Sequence, residues 1–314
     1  MDKSKFYVIL PVLAGIMWGV TGVFVRFLSA GGLDNYTIVF TRLLVSSIIL
    51  AVFILITNRE DFKIPKKAII LLIAGSVIGC SYMNVVYSIA ILHLHLALSS
   101  VLIGLFALWA IFIGRIFFGE RITKRKIICV IVALFGVVLV TGLLEHMDAQ
   151  TLSFYGLFMG FMTGIMYAVN GAATRVMGDW GMKSTTINFW YFLIGAISLL
   201  PLCKWDQIFN LIAAGPVAGV SLLVGQALIC AILPYVCFAV AMRHMEMGLV
   251  GTLALGDPVA GMIAGFLLFG EVPSPLMIIG VFVVIGAIAV AMRSPNEREA
   301  PPEDPPALEQ APAL

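Results

Sequence analysis

Residues 238 to 271 read FAVAMRHMEMGLVGTLALGDPVAGMIAGFLLFGE. Two apolar arms flank a short polar stretch, Arg243 to Glu246, so the segment reads as a hydrophobic hairpin. One acid, Asp257, lies deep in the second arm beside Pro258. A gapless copy stands at 87 to 120, YSIAILHLHLALSSVLIGLFALWAIFIGRIFFGE. The offset is 151 (238 minus 87), with identities at Ala90/Ala241, His93/His244, Leu102/Leu253 and Gly114/Gly265. Both copies end in Phe-Gly-Glu. An acid at that depth is rare, and a repeat of this span in an apolar chain points to a transporter built from two halves.

The rest of the chain has the same character. It has 314 residues, 61% hydrophobic and 11% charged, with a mean hydropathy of +1.07. A soluble domain carries about 25% charged residues, so this chain has too few polar side chains to cover a water-facing surface. Spans of about 20 apolar residues are predicted at ten places: 7–28, 36–57, 68–91, 96–118, 126–144, 154–176, 185–203, 217–242, 247–269 and 275–292. The segment 205–215 reads as an interfacial turn of helix. The apolar run near the N-terminus is longer than the roughly 7–15 residues of a signal peptide core, and is read as the first span. Residues 293–314, RSPNEREAPPEDPPALEQAPAL, are dense in proline and acid, and a disordered cytoplasmic tail is expected there.

Charge placement sets the orientation. Of the 19 Lys and Arg, Arg42 falls within a span, and only Arg26 and Lys204 face outward if the N-terminus is inside. Cytoplasmic loops carry the excess of Lys and Arg. Both termini are therefore expected in the cytoplasm, with a multi-pass placement in the cell membrane, a bacterial inner membrane by this reading. The net charge of +2 gives no reason to expect nucleic acid as a partner. Cysteines 80, 129, 203, 230 and 237 are an odd set in apolar segments, so they read as free hydrophobes and not as a disulfide framework.

The halves also match outside the hairpin. At an offset of 149 (164 minus 15), Gly15, Trp18, Gly19, Gly22 and Arg26 align with Gly164, Tyr167, Ala168, Gly171 and Arg175. Thr37, Ile38 and Phe40 align with Thr186, Ile187 and Phe189. The expected fold is an all-α membrane protein of ten transmembrane helices in two five-helix inverted repeats, 1–148 and 149–292. An odd number of spans per half inverts the second half, and such repeats accompany alternating access around a midplane site.

The stretch Gly15 to Arg26, the Arg42-Leu43-Leu44 of span two and the two hairpins ending in Phe-Gly-Glu resemble the drug/metabolite transporter superfamily, EamA-like branch. The resemblance covers about 7–145 and 154–292. It implies a metabolite transporter, with relatives that export amino acids and others that move sugars, nucleotide-sugars and choline. The chain departs from that pattern at Asp257-Pro258, where the branch often has Glu-Pro, and at Ala107, where the first hairpin often keeps a proline.

The candidate site residues follow from depth and chemistry. Asp257 lies about ten residues into its span, so about 15 Å deep. A carboxylate there costs roughly 2.5–3.5 kcal/mol on insertion scales. Pro258 frees a carbonyl one turn back, which suits ligand or ion coordination. The alternative is a structural acid paired with another helix. Arg42 lies about 10 Å deep; it either pairs with Asp257 or snorkels to the outer headgroups. Their repeat equivalents are Tyr191 and Phe106, so these two charges stand outside the symmetry. Trp18, Tyr82, Trp109, Tyr167, Asn170, Gln226 and Tyr235 are candidates to line a cavity by stacking and hydrogen bonding, or else serve as core and interface residues. Asn84, Tyr87, Trp190 and Tyr191 belong to the same polar-aromatic set. Small residues on span nine, Gly248 to Gly265, and on span four, Ala97 to Gly114, form flat faces for close packing, and sliding along them during gating is the functional alternative.

His93, His95, His244 and Glu246 occupy the hairpin tips, but the tips fall on opposite sides, so no metal is expected. No cofactor is expected either. No phosphate loop or nucleophile elbow is present, which argues against an enzyme. The reading is a secondary transporter of a small solute working by alternating access, and the resemblance implies that it exports a metabolite such as an amino acid. Its partners are that solute and membrane lipid, with either a coupling proton or simple downhill movement, and it acts as a monomer or homodimer. The alternatives are an importer of a cation such as choline, or a non-transporting membrane protein or intramembrane enzyme.

Overall fold

The computed structural model describes residues 3–93, 96–145 and 153–292. The expected tail, 293–314, and His95 lie outside the described residues. Every regular element among those residues is helical. In chain order they are α1 (Lys3–Gly19), α2 (Thr21–Ala30), α3 (Asn35–Thr57), α4 (Ile69–Ser76), α5 (Met83–His93), α6 (Leu96–Gly104), α7 (Phe106–Phe118) and α8 (Lys124–Val140). The second half gives α9 (Phe154–Asp179), α10 (Ser184–Leu199), α11 (Trp205–Ala214), α12 (Pro216–Ala227), α13 (Leu233–His244), α14 (Met247–Leu253), α15 (Asp257–Phe269) and α16 (Pro275–Met292).

Nine helices among the described residues are long and apolar enough to cross a membrane, some as two segments in line. The expected fifth span is the exception. It is present as α8, but its 17 residues cover only about 25 Å. Ile56, Phe117 and Val217 are largely bare on the outer faces of their helices. Such faces suit lipid and would be a liability in water.

Breaks within spans position the site. Tyr7–Ala30 divides at Val20, Met247–Phe269 divides at a 3₁₀ turn, Ala254–Gly256, and the first hairpin divides at Leu105. Pro258 explains the second break, because it removes an amide donor and clashes with the carbonyl one turn back. The break at Leu105 forms without a proline. There, the carbonyls of Leu102 and Ile103 face α9, whose Gly164 approaches so closely that its Cβ would lie 3.1 and 3.6 Å away. Gly15 meets the Ala254 carbonyl in the same way, at 2.6 Å. The carbonyl freed by Pro258 thus lies against α1.

Each half also carries a π-helical turn at the same register, Val77–Tyr82 between α4 and α5 and Leu228–Ile232 between α12 and α13. The small-residue faces serve packing: Gly248 and Gly251 in α14 lie on Ala107, Ala110 and Ile111 of α7. The core is continuous across α1, α7, α8, α9, α13, α14 and α16, with a second cluster among α3, α4 and α10.

Candidate functional site

α1 runs alongside α14 and α15. Tyr7 stacks on His244 with ring centroids 4.0 Å apart, Gly15 meets Ala254, and Gly19 meets Asp257. The two breaks therefore face each other. Beside them lies a cavity of about 730 Å³, large enough for a small metabolite.

Asp257 opens α15 and lines the cavity, with its carboxylate at the helix N-terminus, where the backbone dipole favours a negative charge. Arg42 lines it from α3 and donates from Nη2 to Asn84 Oδ1 at 3.2 Å. Asn84 in turn donates from Nδ2 to the Cys80 carbonyl at 2.5 Å, within the first π turn. A π turn misaligns backbone pairing and presents a carbonyl to a side chain. Arg42 and Asp257 thus share one cavity, and among the described residues no ion pair joins them.

The floor is aromatic. Trp18 is edge-on to Tyr167 at 5.7 Å, to Tyr235 at 5.4 Å and to Phe238 at 5.4 Å. Phe106, the repeat equivalent of Asp257, packs on Tyr167 at 4.6 Å. On the wall, the Tyr87 hydroxyl and Ser100 Oγ lie 3.2 Å apart. At the mouth, Arg26 Nη1 donates to Glu271 Oε1 at 2.5 Å.

Of the residues singled out by sequence, Trp18, Arg42, Tyr167, Tyr235 and Asp257 line this cavity. The other four lie elsewhere. Tyr82 is about half exposed on the outside of its π turn. Trp109 packs against Phe112 and Phe161. Asn170 is buried and donates from Nδ2 to the Gly75 carbonyl at 3.0 Å. Gln226 is buried and donates from Nε2 to Ile38 O at 3.3 Å and Thr41 Oγ1 at 3.1 Å. A polar side chain in an apolar span needs a partner, and both amides find one on a neighbouring helix, where they join helices. Asn170 shares a helical face with Tyr167, but close packing on Gly79 takes it out of the cavity.

Asn84 and Tyr87 of the wider polar-aromatic set line the cavity too, and it also uses residues that the sequence reading did not single out as lining: Thr21, Ser100, Thr141, Arg26 and Glu271. Tyr87 stands one turn after Asn84, on the same face. Among the described residues no group of His, Cys, Asp and Glu is placed to hold a metal.

Comparison with known proteins gives a consistent picture. The model of the EamA-like transporter family matches this chain twice, over residues 5–142 and 154–293. The pseudopaline exporter CntI of Pseudomonas aeruginosa is 25% identical over 293 residues, covering 93% of this chain and 98% of that one. A probable terminal-alkyne amino-acid exporter of Streptantibioticus cattleyicolor is 25% identical over 266 residues, covering 83% and 84%. An uncharacterized transporter of Archaeoglobus fulgidus is 22% identical over 287 residues, covering 90% and 94%. A solved crystal structure superposes with a TM-score of 0.74 at 15% identity, over 91% of this chain and 96% of that one, and so shares the fold.

Proposed function

The chain belongs to the EamA-like transporter family, and from that premise we propose that it exports a small zwitterion of the amino-acid class by alternating access. The observation that carries this reading is the pair of opposite charges, Arg42 and Asp257, unpaired with each other in one cavity. A guanidinium held by Asn84 suits a carboxylate, and a half-buried carboxylate suits an ammonium. Such a solute would offset the burial cost of both protein charges at once. Trp18, Tyr167 and Tyr235 would enclose its apolar part. The relatives named as exporters support the direction.

In this reading α8 is the fifth of ten spans, 1–148 and 149–292 are inverted repeats, and both termini are cytoplasmic. The mouth with Arg26 and Glu271 then faces outward. Asp257 is the coupling acid: it takes up a proton when unliganded on one side and gives it up on the other. An importer of a cation such as choline draws support from the same aromatics around Asp257. Arg42 opposes it, since a cation in this cavity would meet a like charge.

The test is a thermal-shift screen of the purified protein, followed by counterflow in proteoliposomes. A ligand of the folded state raises apparent stability by about 2.7 kcal/mol at a hundred times its Kd. Zwitterionic amino acids are expected to do this and choline is not. Stabilisation and counterflow by choline alone would replace this reading with the cationic one.

A further inference from the structure

We propose that Arg26–Glu271 and Arg175–Glu120 are two equivalent latches that close the opposite ends of the transport path in turn. The proposal rests on the alternating-access reading and adds the groups that hold each state.

The two pairs are built alike. Arg26 and Arg175 correspond at the offset of 149, and Glu120 and Glu271 at 151. Each glutamate follows a glycine, Gly119 or Gly270, in the left-handed region at φ 68°. That conformation suits glycine and turns the chain back over the helix end. The amide of Glu120 then donates to the Gly114 carbonyl at 3.1 Å, and that of Glu271 to the Gly265 carbonyl at 3.3 Å. In both cases the carboxylate lies over the glycine whose carbonyl accepts from that amide, where any side chain would collide with it. Each arginine also lies over the phenylalanine that ends its partner helix, Arg26 over Phe269 at 4.6 Å and Arg175 over Phe118 at 4.0 Å.

The pairs stand at opposite ends of one span. Glu271 follows the C-terminus of α15. Glu120 Oε1 accepts from Met247 N at 2.8 Å, at the N-terminus of α14. Their environments differ. The Arg26 and Glu271 side chains are 50% and 53% exposed at the open mouth, whereas those of Arg175 and Glu120 are 6% and 8% exposed at the sealed end. One construction is thus caught in two conditions, apart from solvent and open to it. In the other state of the transporter the burial is exchanged.

The sealed end has a further clamp. Lys126 and Glu246 form a buried ion pair at 2.6 Å. The equivalent of Lys126 is Met277, so the mouth lacks this second pair. The sealed end is also not fully satisfied: Arg175 Nε is buried without a hydrogen-bond acceptor among the described residues. A shortfall of this kind reduces the cost of opening. An isolated exposed pair contributes little, but removing one partner of a buried pair leaves an uncompensated charge. Loss of Glu120 therefore penalises the state seen here, and loss of Glu271 penalises the other.

The test needs no substrate, so it separates failure of the latches from failure of the substrate assignment. A reporter, Met262→Cys in the cavity wall, is placed in a chain lacking the five native cysteines and labelled from the mouth side with an impermeant thiol reagent. Glu120→Gln is expected to slow this labelling at least about tenfold, and Glu271→Gln is not expected to slow it. The exchange Glu120→Arg with Arg175→Glu is expected to restore part of the rate, because it rebuilds the ion pair but leaves the Met247 amide without its acceptor. Should Glu120→Gln fail to fold, Glu120→Asp, which keeps the charge and shortens the reach, is expected to slow labelling in the same direction. Unchanged labelling in folded Glu120 variants, or equal slowing by Glu271→Gln, overturns the proposal.

Discussion

Gly19 lies so close to Asp257 that a Cβ on it would overlap the Asp257 carbonyl oxygen and come within 2.7 Å of the Ala260 Cβ and 2.8 Å of the Gly261 amide. The break in the first span and the break before α15 are thereby held together, backbone against backbone. Gly19→Ala is expected to lower stability by about 1–3 kcal/mol, the usual cost of overpacking. Gly286 has open space around it, so Gly286→Ala is expected to stabilise α16 by about 0.5–1 kcal/mol. Thermal unfolding of the two variants in one detergent checks both signs.

Asp257→Asn keeps the size of the side chain and adds no buried charge. The protein is expected to fold. Transport driven by a pH gradient is expected to vanish, while solute exchange survives at a higher half-saturating concentration, because the carboxylate that meets the ammonium is gone. Proteoliposomes with and without a gradient measure the difference. A wild-type gradient response in the variant would return Asp257 to a structural role.

Asn170 and Gln226 bind other helices. Replacing either with Ala is expected to cost about 0.6–1.7 kcal/mol, the range for hydrogen bonds between membrane helices. Neither change is expected to alter the solute concentration that gives half-maximal transport, whereas Tyr167→Ala is expected to raise it. Unfolding curves and transport titrations separate the two effects.

Asp34 caps α3 outside the spans, accepting from Thr37 N at 2.8 Å and pairing with Lys204 at 3.0 Å. Partial burial pushes its carboxyl up, but the bonds from Thr37 and Lys204 outweigh it and hold the carboxyl below its ordinary 3.8. A lowered folded value means the stabilisation is complete above 3.8 and is lost as pH falls through that lower value. Asp34→Asn keeps a cap and removes the charge. Its stability is expected to be lower than wild type at neutral pH, and the gap is expected to close on acidification below about pH 4.

The proposed inversion predicts opposite sides for two loops. Single cysteines at Lys124 and Ser274 are expected to be labelled by an impermeant reagent from different sides of the membrane. Labelling of both from one side would end the inverted-repeat reading.

Much of the fold was legible because apolar length and repeated residues are properties of the sequence itself. The hairpins, the helices on either side and the place of Asp257 midway along the span Met247–Phe269 all followed from spacing. Other features depend on which helix meets which. Leu105 carries no local sign of a break; the break lies where Gly164 of α9 comes to rest against the carbonyls of Leu102 and Ile103. Asn170 looked like cavity lining because it shares a face with Tyr167, and only the approach of Gly79 decides otherwise. Arg26 and Glu271 were each visible as half of a repeated pair, yet nothing in a linear chain says that the first helix of one half lies against the last hairpin of the other.

The two π turns have a bearing on ancestry. A π turn arises when one residue is inserted into an α-helix, and Val77 and Leu228 begin theirs at matching positions. Two separate insertions at one register would be a coincidence. A single insertion in a one-repeat ancestor, copied when its gene doubled, leaves the same mark twice. The extra residue that now turns the Cys80 carbonyl toward Asn84 is then older than the two-part chain, and the ancestor already had it before it had a second half to work against.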